Sequence, residues 1–515
     1  MPALCPLIPT TISMTLKVNL LTLTAVRLQE LFSKRLLTSR RAVELYLAQI
    51  DKHNHNGLQL NAIISVADRA DILQRAELLD RERAQGKIRG PLHGVPVIIK
   101  DICVTQNMPS TCGSYAFKCG EAKVDAHIIG TLNDAGLIII AKANLSELGN
   151  AKGDHLMAGW SPVGGQTKNP HVEGDIPLGA PYLTSWGPAG SSSGSATAVA
   201  AGFSPISLGT ELEGSITWPA ARAGLYAIKL TPDSVDQHGF LPCAKGFDCT
   251  GPYGKTTADV AILSAIIQLL RPDHYLPLAT SWHGLKLGFV EPTLWRSAAD
   301  VVEEVDGFLQ QTDSAMFAAS EAIAEQGARV VKSIPLPTWG EITSSMPDLD
   351  DMGDLFAYQM KLSWPGFLAL LEGTPQTVED LIDWNKAHAD LEFTPRDNNQ
   401  RVLEKIRDST MTQEQYDRNV KALREAARGA IHRVLYDYDV DVILAPCDSR
   451  LNSVAAAAGY PLGNLPLGYA DFNGRGFSLH VIAPAGEEAK IFQVMSAWEA
   501  TFPDNVRPPR ALVGQ

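Results

Sequence analysis

The chain has 515 residues, 45% of them hydrophobic, so it can bury a core far larger than a marginal fold needs. It carries 44 basic and 57 acidic residues, a net charge of −13, and such a surface repels phosphate backbones, so nucleic acid is not an expected partner. Its seven cysteines form no CxxC pair, which favours reduced thiols and a cytoplasmic protein. No apolar run approaches the roughly 20 residues of a membrane span, so no membrane association is expected.

The first half of the chain alternates helical and strand patterns. Apolar residues recur at helical spacing over 24–53, with a break near residues 37–39, and again over 67–86, which predicts three amphipathic helices. Short β-branched runs at 95–99 and 137–141 predict buried strands, with a helix near 124–134 between them. Residues 153–192 have a loop composition. A small-residue helix at 196–201, a strand at 205–208 and the start of a helix at 216 follow.

The second half is strongly helical and charged from about 300 to 430, and strand patterns return at 441–446 and 477–483. Strands that alternate with helices predict an α/β architecture, with helices on both sides of a central mixed, mainly parallel sheet. We expect one domain over 25–505, with a catalytic core at about 85–260, a helical insertion at about 300–430 and an N-terminal extension at 1–24.

A serine-rich block at 187–196 (Gly-Pro-Ala-Gly-Ser-Ser-Ser-Gly-Ser-Ala) is the first candidate for chemistry. Alone it fits a flexible linker as well as a functional segment. Because it leads directly into the small-residue helix, its serines are expected at a helix N-terminus, where unpaired N–H groups favour negative charge.

Two further residues draw attention. Ser215 follows Gly-Thr-Glu-Leu-Glu-Gly at a predicted strand-to-helix turn, where it is either an ordinary N-cap or a nucleophile beside exposed N–H groups. Lys100 ends a β-branched run and is either a surface charge or, if buried, a base with a lowered pKa. Each of these residues alone favours the structural interpretation.

Taken together, the three segments resemble the amidase signature family, in particular its peptide-amidase-like and fungal branch. Residues 94–101 (Gly-Val-Pro-Val-Ile-Ile-Lys-Asp), the serine block and residues 209–216 (Gly-Thr-Glu-Leu-Glu-Gly-Ser-Ile) stand in the order and spacing of that family. Further matching segments include 88–114, 144–147, 164–170, 251–252 and 459–461. The resemblance extends over about 25–500.

The resemblance implies an amidohydrolase with a Ser–cis-Ser–Lys triad and an acyl-enzyme intermediate. Neutral Lys100 would take a proton from Ser191, Ser191 would take the proton of Ser215, and Ser215 would attack the amide carbonyl. The backbone N–H groups of Leu212, Glu213, Gly214 and Ser215 would form the oxyanion hole. The resemblance calls for no metal and no organic cofactor.

The family resemblance also indicates where substrate would bind. The loop at 153–160 and the residue Gln166 are expected beside the acyl group, with His155, Met157 and Trp160 as contact candidates. Trp364 and Phe367 are further candidates for the pocket wall, although simple packing explains each of them as well. The expected substrate is an uncharged small amide or a peptide C-terminal amide, and a homodimer is left open.

Three alternatives stay open from the sequence: an amidotransferase component, an acyl-transferring or amide-forming enzyme, and a non-catalytic amide-binding pseudoenzyme. The chain also departs from the family pattern at four positions near the triad. Glu213 and Thr217 replace a frequent glycine and arginine, and Ala189 and Ser193 replace glycines around the bridging serine. The interval from Lys100 to Ser191 is long, and the added residues are expected at 171–187.

Overall fold

A large mixed sheet runs through the part of the chain that the computed structural model describes, residues 18–154, 156–177, 179–294, 296–297, 301–303, 305–349 and 352–514. In chain order the strands are β1 (Ile63–Val66), β2 (Pro96–Lys100), β3 (Glu121–Ala122), β4 (Ile138–Ala143), β5 (Trp160–Ser161), β6 (Gly165–Gln166), β7 (Ile206–Glu211), β8 (Tyr226–Lys229), β9 (Cys249–Gly254), β10 (Lys286–Val290), β11 (Arg329–Ile334), β12 (Leu371–Glu372), β13 (Val442–Pro446), β14 (Leu462–Tyr469) and β15 (Gly476–Ile482). Eleven of them form one sheet in the order β1-β4-β2-β7-β9-β8-β14-β15-β13-β10-β11. The short strands pair as β12 with β3 and β5 with β6.

The sheet confirms the α/β class and the mixed character expected from the sequence, but parallel pairing does not predominate. Parallel pairs lie in two groups, β4-β2-β7 and β13-β10-β11, and the other six neighbouring pairs are antiparallel. The reason is that β14 and β15 form a hairpin at the centre and β9 returns beside β7 and β8, so the central strands are not joined by parallel crossovers.

Helices cover the sheet, and their apolar faces form its core. In chain order they are α1 (Ala25–Ser33), α2 (Ser39–His53), α3 (Arg69–Ala84), α4 (His127–Asp134), α5 (Ser193–Ala200), α6 (Thr217–Ala223), α7 (Thr257–Ile267), α8 (Phe308–Glu325), α9 (Trp339–Thr343), α10 (Gly353–Leu368), α11 (Val378–Ala387), α12 (Ala389–Glu392), α13 (Arg401–Asp408), α14 (Gln413–Asp437), α15 (Leu451–Ala458) and α16 (Glu488–Thr501). Helices α5 and α6 contact each other, and α5 packs on β2 and β7. Within the described residues, no helix is long and apolar enough to cross a membrane.

The predicted break between the first two helices is confirmed, and the caps explain it. The Thr24 hydroxyl accepts the N–H of Arg27 and begins α1, and the Thr38 hydroxyl accepts the N–H of Arg41 and begins α2. The interval 300–430 is less uniformly helical than expected, because the β-branched run of β11 lies within it and pairs in parallel with β10 at the sheet edge. Helix α8 is the crossover between these two strands.

The pairing of β2 with β7 positions the candidate site. Every residue of β2 is buried, as its β-branched sequence predicts. The two strands are parallel and Ile99 is paired with Leu208, so Lys100 at the end of β2 lies beside the last residues of β7. The turn from β7 to α6, which contains Ser215, begins at this same edge of the sheet.

Candidate active site

Lys100 is a buried lysine whose amine contacts two hydroxyl groups. Its side chain ends a fully buried strand, and the residue is 2% exposed. The Nζ atom lies 2.8 Å from Ser191 Oγ and 3.0 Å from Thr210 Oγ1. The sequence left open whether this lysine is a surface charge, and the structure places it in the interior.

Burial changes the proton affinity of this amine. Removal from water disfavours the ammonium and lowers the pKa of Lys100 to about 7, although nearby Cys243, Asp248 and Glu211 act in the opposite direction. The neutral amine is therefore accessible near neutral pH, unlike that of an exposed lysine. Such an amine can accept a proton from the adjacent Ser191 hydroxyl.

Ser191 precedes α5 on a cis peptide bond with Gly190. The Ser191 carbonyl accepts the N–H of Ser146 at 3.0 Å. The side chain of Ser146 and the Tyr182 hydroxyl lie so close to Gly190 that a Cβ atom there would overlap both. A larger residue immediately before Ser191 would therefore require both of these side chains to shift.

Ser215 lies in the turn between β7 and α6 and is partly exposed, whereas Ser191 is buried. The Ser215 carbonyl accepts the N–H of Ser192 at 3.1 Å, so the residue after Ser191 is hydrogen-bonded to the candidate nucleophile. The structure thus brings together the three segments that carry Lys100, Ser191 and Ser215.

Glu211 holds the turn that carries Ser215. Its buried carboxylate accepts the N–H groups of Ile216 at 2.7 Å and of Thr217 at 2.8 Å. The Thr217 hydroxyl also donates to it, at 3.1 Å. A carboxylate at this position satisfies the first N–H groups of α6 and fixes the backbone immediately after Ser215.

The predicted oxyanion-hole residues form the irregular segment 212–215, called the oxyanion loop below. In the part of the chain that the structure describes, no protein group accepts a hydrogen bond from the N–H groups of this loop. Gly214 has φ +76°, and a Cβ atom there would overlap the Trp218 ring. The loop therefore offers unpaired backbone donors beside Ser215, in a conformation that requires glycine.

The predicted substrate contacts lie in the loop at 153–160 and in β6, and Gly159 of this loop is next to the segment that carries Ser191. Trp160 and Gln166 are opposite each other in the β5–β6 pair, and the Gln166 amide donates to the carbonyl of Ala158 at 2.9 Å. Met157 is buried, and its N–H donates to Asp397 at 2.8 Å. Trp160 is partly exposed, and His155 lies outside the described residues.

The two further candidates for the pocket wall are packed side chains. Trp364 and Phe367 are both buried on α10, and the Trp364 indole donates to the carbonyl of Pro242 at 2.8 Å. They belong to the main hydrophobic core, so packing explains both residues.

The departures from the family pattern are accommodated locally. Ala189 is buried with φ +57°, and it packs with Leu183 and Trp218. Ser193 begins α5 with its Cβ against Gly159. In the segment 171–187, where added residues are expected, the Thr184 hydroxyl donates to the carboxylate of Glu303 at 2.8 Å.

Sequence reasoning missed three polar residues around Lys100 and the oxyanion loop. Thr210 and Glu211 belong to the quoted motif, but only their contacts reveal what they hold. Asp248 accepts the N–H groups of Cys243 and Ala244 at 2.7 Å each, and burial raises its pKa to about 7. Among the described residues, no cluster of His, Cys, Asp and Glu has the arrangement of a metal site.

Known proteins are similar to this chain over most of its length. A family model described as Amidase matches residues 41–451. A probable amidase of Arabidopsis thaliana is 29% identical over 473 residues, covering 91% of this chain and 88% of its own. A glutamyl-tRNA(Gln) amidotransferase component of Symbiobacterium thermophilum is 38% identical, but over only 48% of this chain and 46% of its own.

Solved structures cover nearly the whole chain. The native peptide amidase of Stenotrophomonas maltophilia superposes with a TM-score of 0.81 at 28% identity, covering 95% of this chain and 98% of that one. The peptide amidase in complex with the competitive inhibitor chymostatin gives a TM-score of 0.80 at 28% identity, with 95% and 99% covered.

Proposed function

The chain belongs to the amidase family and acts on carbon–nitrogen bonds, and we propose that it hydrolyses a carboxylic amide through Ser215, Ser191 and Lys100. The observation that carries this proposal is the 2.8 Å separation between Lys100 Nζ and Ser191 Oγ in a buried site. A buried amine with a pKa of about 7 can serve as a base without histidine.

In the first half of the reaction, neutral Lys100 takes the proton of Ser191 while Ser191 takes the proton of Ser215. The Ser215 oxygen attacks the amide carbonyl, and the N–H groups of residues 212–215 stabilise the negative oxygen of the tetrahedral intermediate. The carbon–nitrogen bond then breaks. The same relay returns a proton to the nitrogen, which leaves as ammonia or an amine.

In the second half, water attacks the acyl-enzyme carbonyl. Its proton passes through the relay as the water oxygen bonds to carbon, and Ser215 leaves with a proton while the carboxylic acid is released. The reaction needs no group other than the triad, the backbone donors and water.

The proposed substrate is an uncharged small amide or a peptide C-terminal amide. Structural likeness to a peptide amidase over 95% of the chain supports this class. The match to the amidotransferase component covers only about half of either chain and favours a stand-alone enzyme. We also place the protein in the cytoplasm, since all six cysteines within the described residues are free.

The test is labelling with a fluorophosphonate, which phosphonylates an activated serine. We expect the wild type to be labelled on Ser215, and Ser215→Ala and Lys100→Ala to remain unlabelled. Ser320→Ala is the matched control, because this buried serine of α8 donates only to a local carbonyl, and it should label like the wild type.

Two outcomes would contradict the proposal. A folded wild type that neither labels nor hydrolyses a panel of peptide and aryl amides would favour a non-catalytic amide-binding protein. A wild type that labels but transfers its acyl group to added hydroxylamine in preference to water, at millimolar amine, would favour an acyl-transferring enzyme.

A further inference from the structure

Lys229 is a second buried lysine beside the site, and its amine is directed at the oxyanion loop. It ends strand β8 in the middle of the sheet and has no exposed surface. Its Nζ atom donates to the carbonyl of Leu212 at 2.7 Å. Leu212 is the first residue of the oxyanion loop.

This contact fixes the direction of the next N–H group. In a planar trans peptide, the carbonyl and the N–H point to opposite sides. Since the Leu212 carbonyl faces Lys229 in the interior, the N–H of Glu213 in the same peptide faces away from the interior. Burial lowers the pKa of Lys229, but its Nζ remains a donor in either protonation state. A donor on the Leu212 carbonyl polarises the peptide and makes its N–H a stronger donor.

The side chain of Glu213 is held from the other direction. Its carboxylate accepts a hydrogen bond from the Ser453 hydroxyl, and Arg450 Nη1 lies 3.8 Å from the same oxygen. Both partners belong to α15 and its N-cap, which follow strand β13. Glu213 is therefore held at two points. Lys229 of the sheet holds the Leu212–Glu213 peptide, and α15 holds the Glu213 side chain.

The conformational freedom of the neighbouring Gly214 makes these two contacts necessary. Gly214 has positive φ, and glycine lets an adjacent peptide rotate at little steric cost. The two peptides that flank Gly214 carry the N–H groups of Gly214 and Ser215. The first of them begins at Glu213, so holding Glu213 also limits the rotation of the Gly214 N–H away from the acyl carbonyl. The N–H of Ser215 is already directed by the first helical bond of α6, in which the Gly214 carbonyl accepts the N–H of Trp218 at 2.9 Å.

We propose that Lys229, Ser453 and Arg450 are positioning residues that clamp Glu213, so that its N–H faces the developing oxyanion. The clamp rests on the proposed function, because it acts on the transition state of Ser215 acylation. It also gives Glu213 a role at a position where many relatives have glycine: the carboxylate supplies a tether that glycine lacks.

The clamp predicts a loss in the chemical step without a loss in binding. Ser453→Ala, Arg450→Gln and Lys229→Met are compared with the wild type by fluorophosphonate labelling over a range of probe concentrations. Removing an oxyanion donor outright costs about 10²–10³ in rate, so a misdirected donor should cost about tenfold or more at saturating probe. The half-saturating probe concentration should stay within about twofold of the wild type, since the clamp touches no ground-state contact.

The pH dependence of the labelling rate distinguishes an effect on the clamp from an effect on the triad. The midpoint of the labelling rate should stay at the wild-type pH in Ser453→Ala, which changes no charge and leaves Lys100 untouched. Lys255→Met is the matched control: Lys255 is another buried lysine, which donates to a single carbonyl, that of Leu23 at 3.3 Å. It should lower thermal stability and leave the labelling kinetics unchanged.

The result that would overturn the clamp is a wild-type saturating rate in Ser453→Ala and Lys229→Met, or an equal loss in Lys255→Met. If Lys229→Met does not fold, Arg450→Gln and Ser453→Ala decide. Arg450 is partly exposed, and Ser453→Ala removes a single hydroxyl group from a buried position. Failure of the proposed function is distinguishable, because the wild type itself would then carry no label on Ser215.

Discussion

Lys100 is the last residue of β2 and Thr210 the next-to-last residue of the parallel strand β7, and their side chains meet with Nζ and Oγ1 3.0 Å apart. The same amine lies 2.8 Å from Ser191 Oγ, so it contacts two hydroxyl groups with different roles. Ser191 is the proposed proton carrier, whereas Thr210 fixes the amine in place. Because a lysine side chain has several rotatable bonds, this second contact selects the rotamer that reaches Ser191.

Replacement of Thr210 tests this selection. Thr210→Val keeps the shape of the side chain and removes the hydroxyl. A neutral hydrogen bond contributes about 1 kcal/mol, so we expect the fluorophosphonate labelling rate to fall about fivefold. Thr210→Ser retains the hydroxyl and should label at nearly the wild-type rate. Equal rates in the valine and serine variants would show that the contact does not position Lys100.

The pH dependence of labelling follows from the pKa of Lys100, which burial lowers to about 7. The base is active when neutral, so the rate should be low at pH 5, rise through a midpoint near 7 and level off above 8. Measurement of the labelling rate from pH 5 to 9 checks this. A profile that is flat across this range would mean that Lys100 is not the base.

Glu211 should affect both stability and activity. Glu211→Ala leaves the N–H groups of Ile216 and Thr217 buried without their acceptor, at a cost of about 1–3 kcal/mol for each group. We expect a lower denaturation midpoint together with slow labelling of Ser215. Glu211→Gln keeps one oxygen acceptor and should recover most of the stability. Equal losses in the two variants would mean that the negative charge, and not the acceptor, is what the turn requires.

The sequence predicted those parts of this site that depend only on the pattern within a short segment. The β-branched run that ends in Lys100 indicated a buried strand, and the small residues after Ser191 indicated a helix. Glu211 also lies within a motif, but its role as acceptor for the α6 N–H groups became evident only from the turn geometry.

Contacts between distant segments could not be predicted in this way. Met157 is held by Asp397, which lies 240 residues away in the chain, and Glu213 is held by Ser453, also 240 residues away. Neither Asp397 nor Ser453 belongs to a recognisable pattern, because a single acceptor or donor needs no particular sequence around it. The antiparallel centre of the sheet was missed for a related reason: strand order depends on long-range pairing and not on the alternation of elements.

Asp397 should control how well the predicted substrate loop is formed. Its carboxylate accepts the Met157 N–H at 2.8 Å, and the nearby Asn399 side chain accepts the Asp154 N–H at 2.9 Å. Loss of one such bond costs about 1 kcal/mol, so Asp397→Ala should raise the half-saturating concentration of a peptide amide about fivefold. Asp397→Asn retains an acceptor oxygen and should behave like the wild type. If the half-saturating concentration of the peptide amide is unchanged in Asp397→Ala, the loop at 153–160 does not contribute to substrate binding.

The last prediction concerns acid stability. Arg222 and Arg475 are buried, and their guanidinium groups lie 2.9 Å and 3.1 Å from the carboxylate of Asp448. Burial alone would raise the pKa of Asp448, but the two arginines outweigh it and hold that pKa well below its usual range. The carboxylate therefore contributes stability that is fully present above the unfolded-state pKa of about 4 and is lost as pH falls toward the folded-state pKa.

Asp448→Asn should remove this contribution at every pH. It leaves two buried arginines without their counter-charge, and we expect a loss of about 3–5 kcal/mol in the free energy of unfolding at pH 7, measured by urea denaturation. Between pH 4 and 2 the wild type should lose stability more steeply than the variant. Asp439→Asn is the control, because Asp439 forms its ion pairs with Lys286 and Arg329 at the surface and should change the midpoint little. Parallel wild-type and Asp448→Asn curves below pH 4 would contradict the assignment.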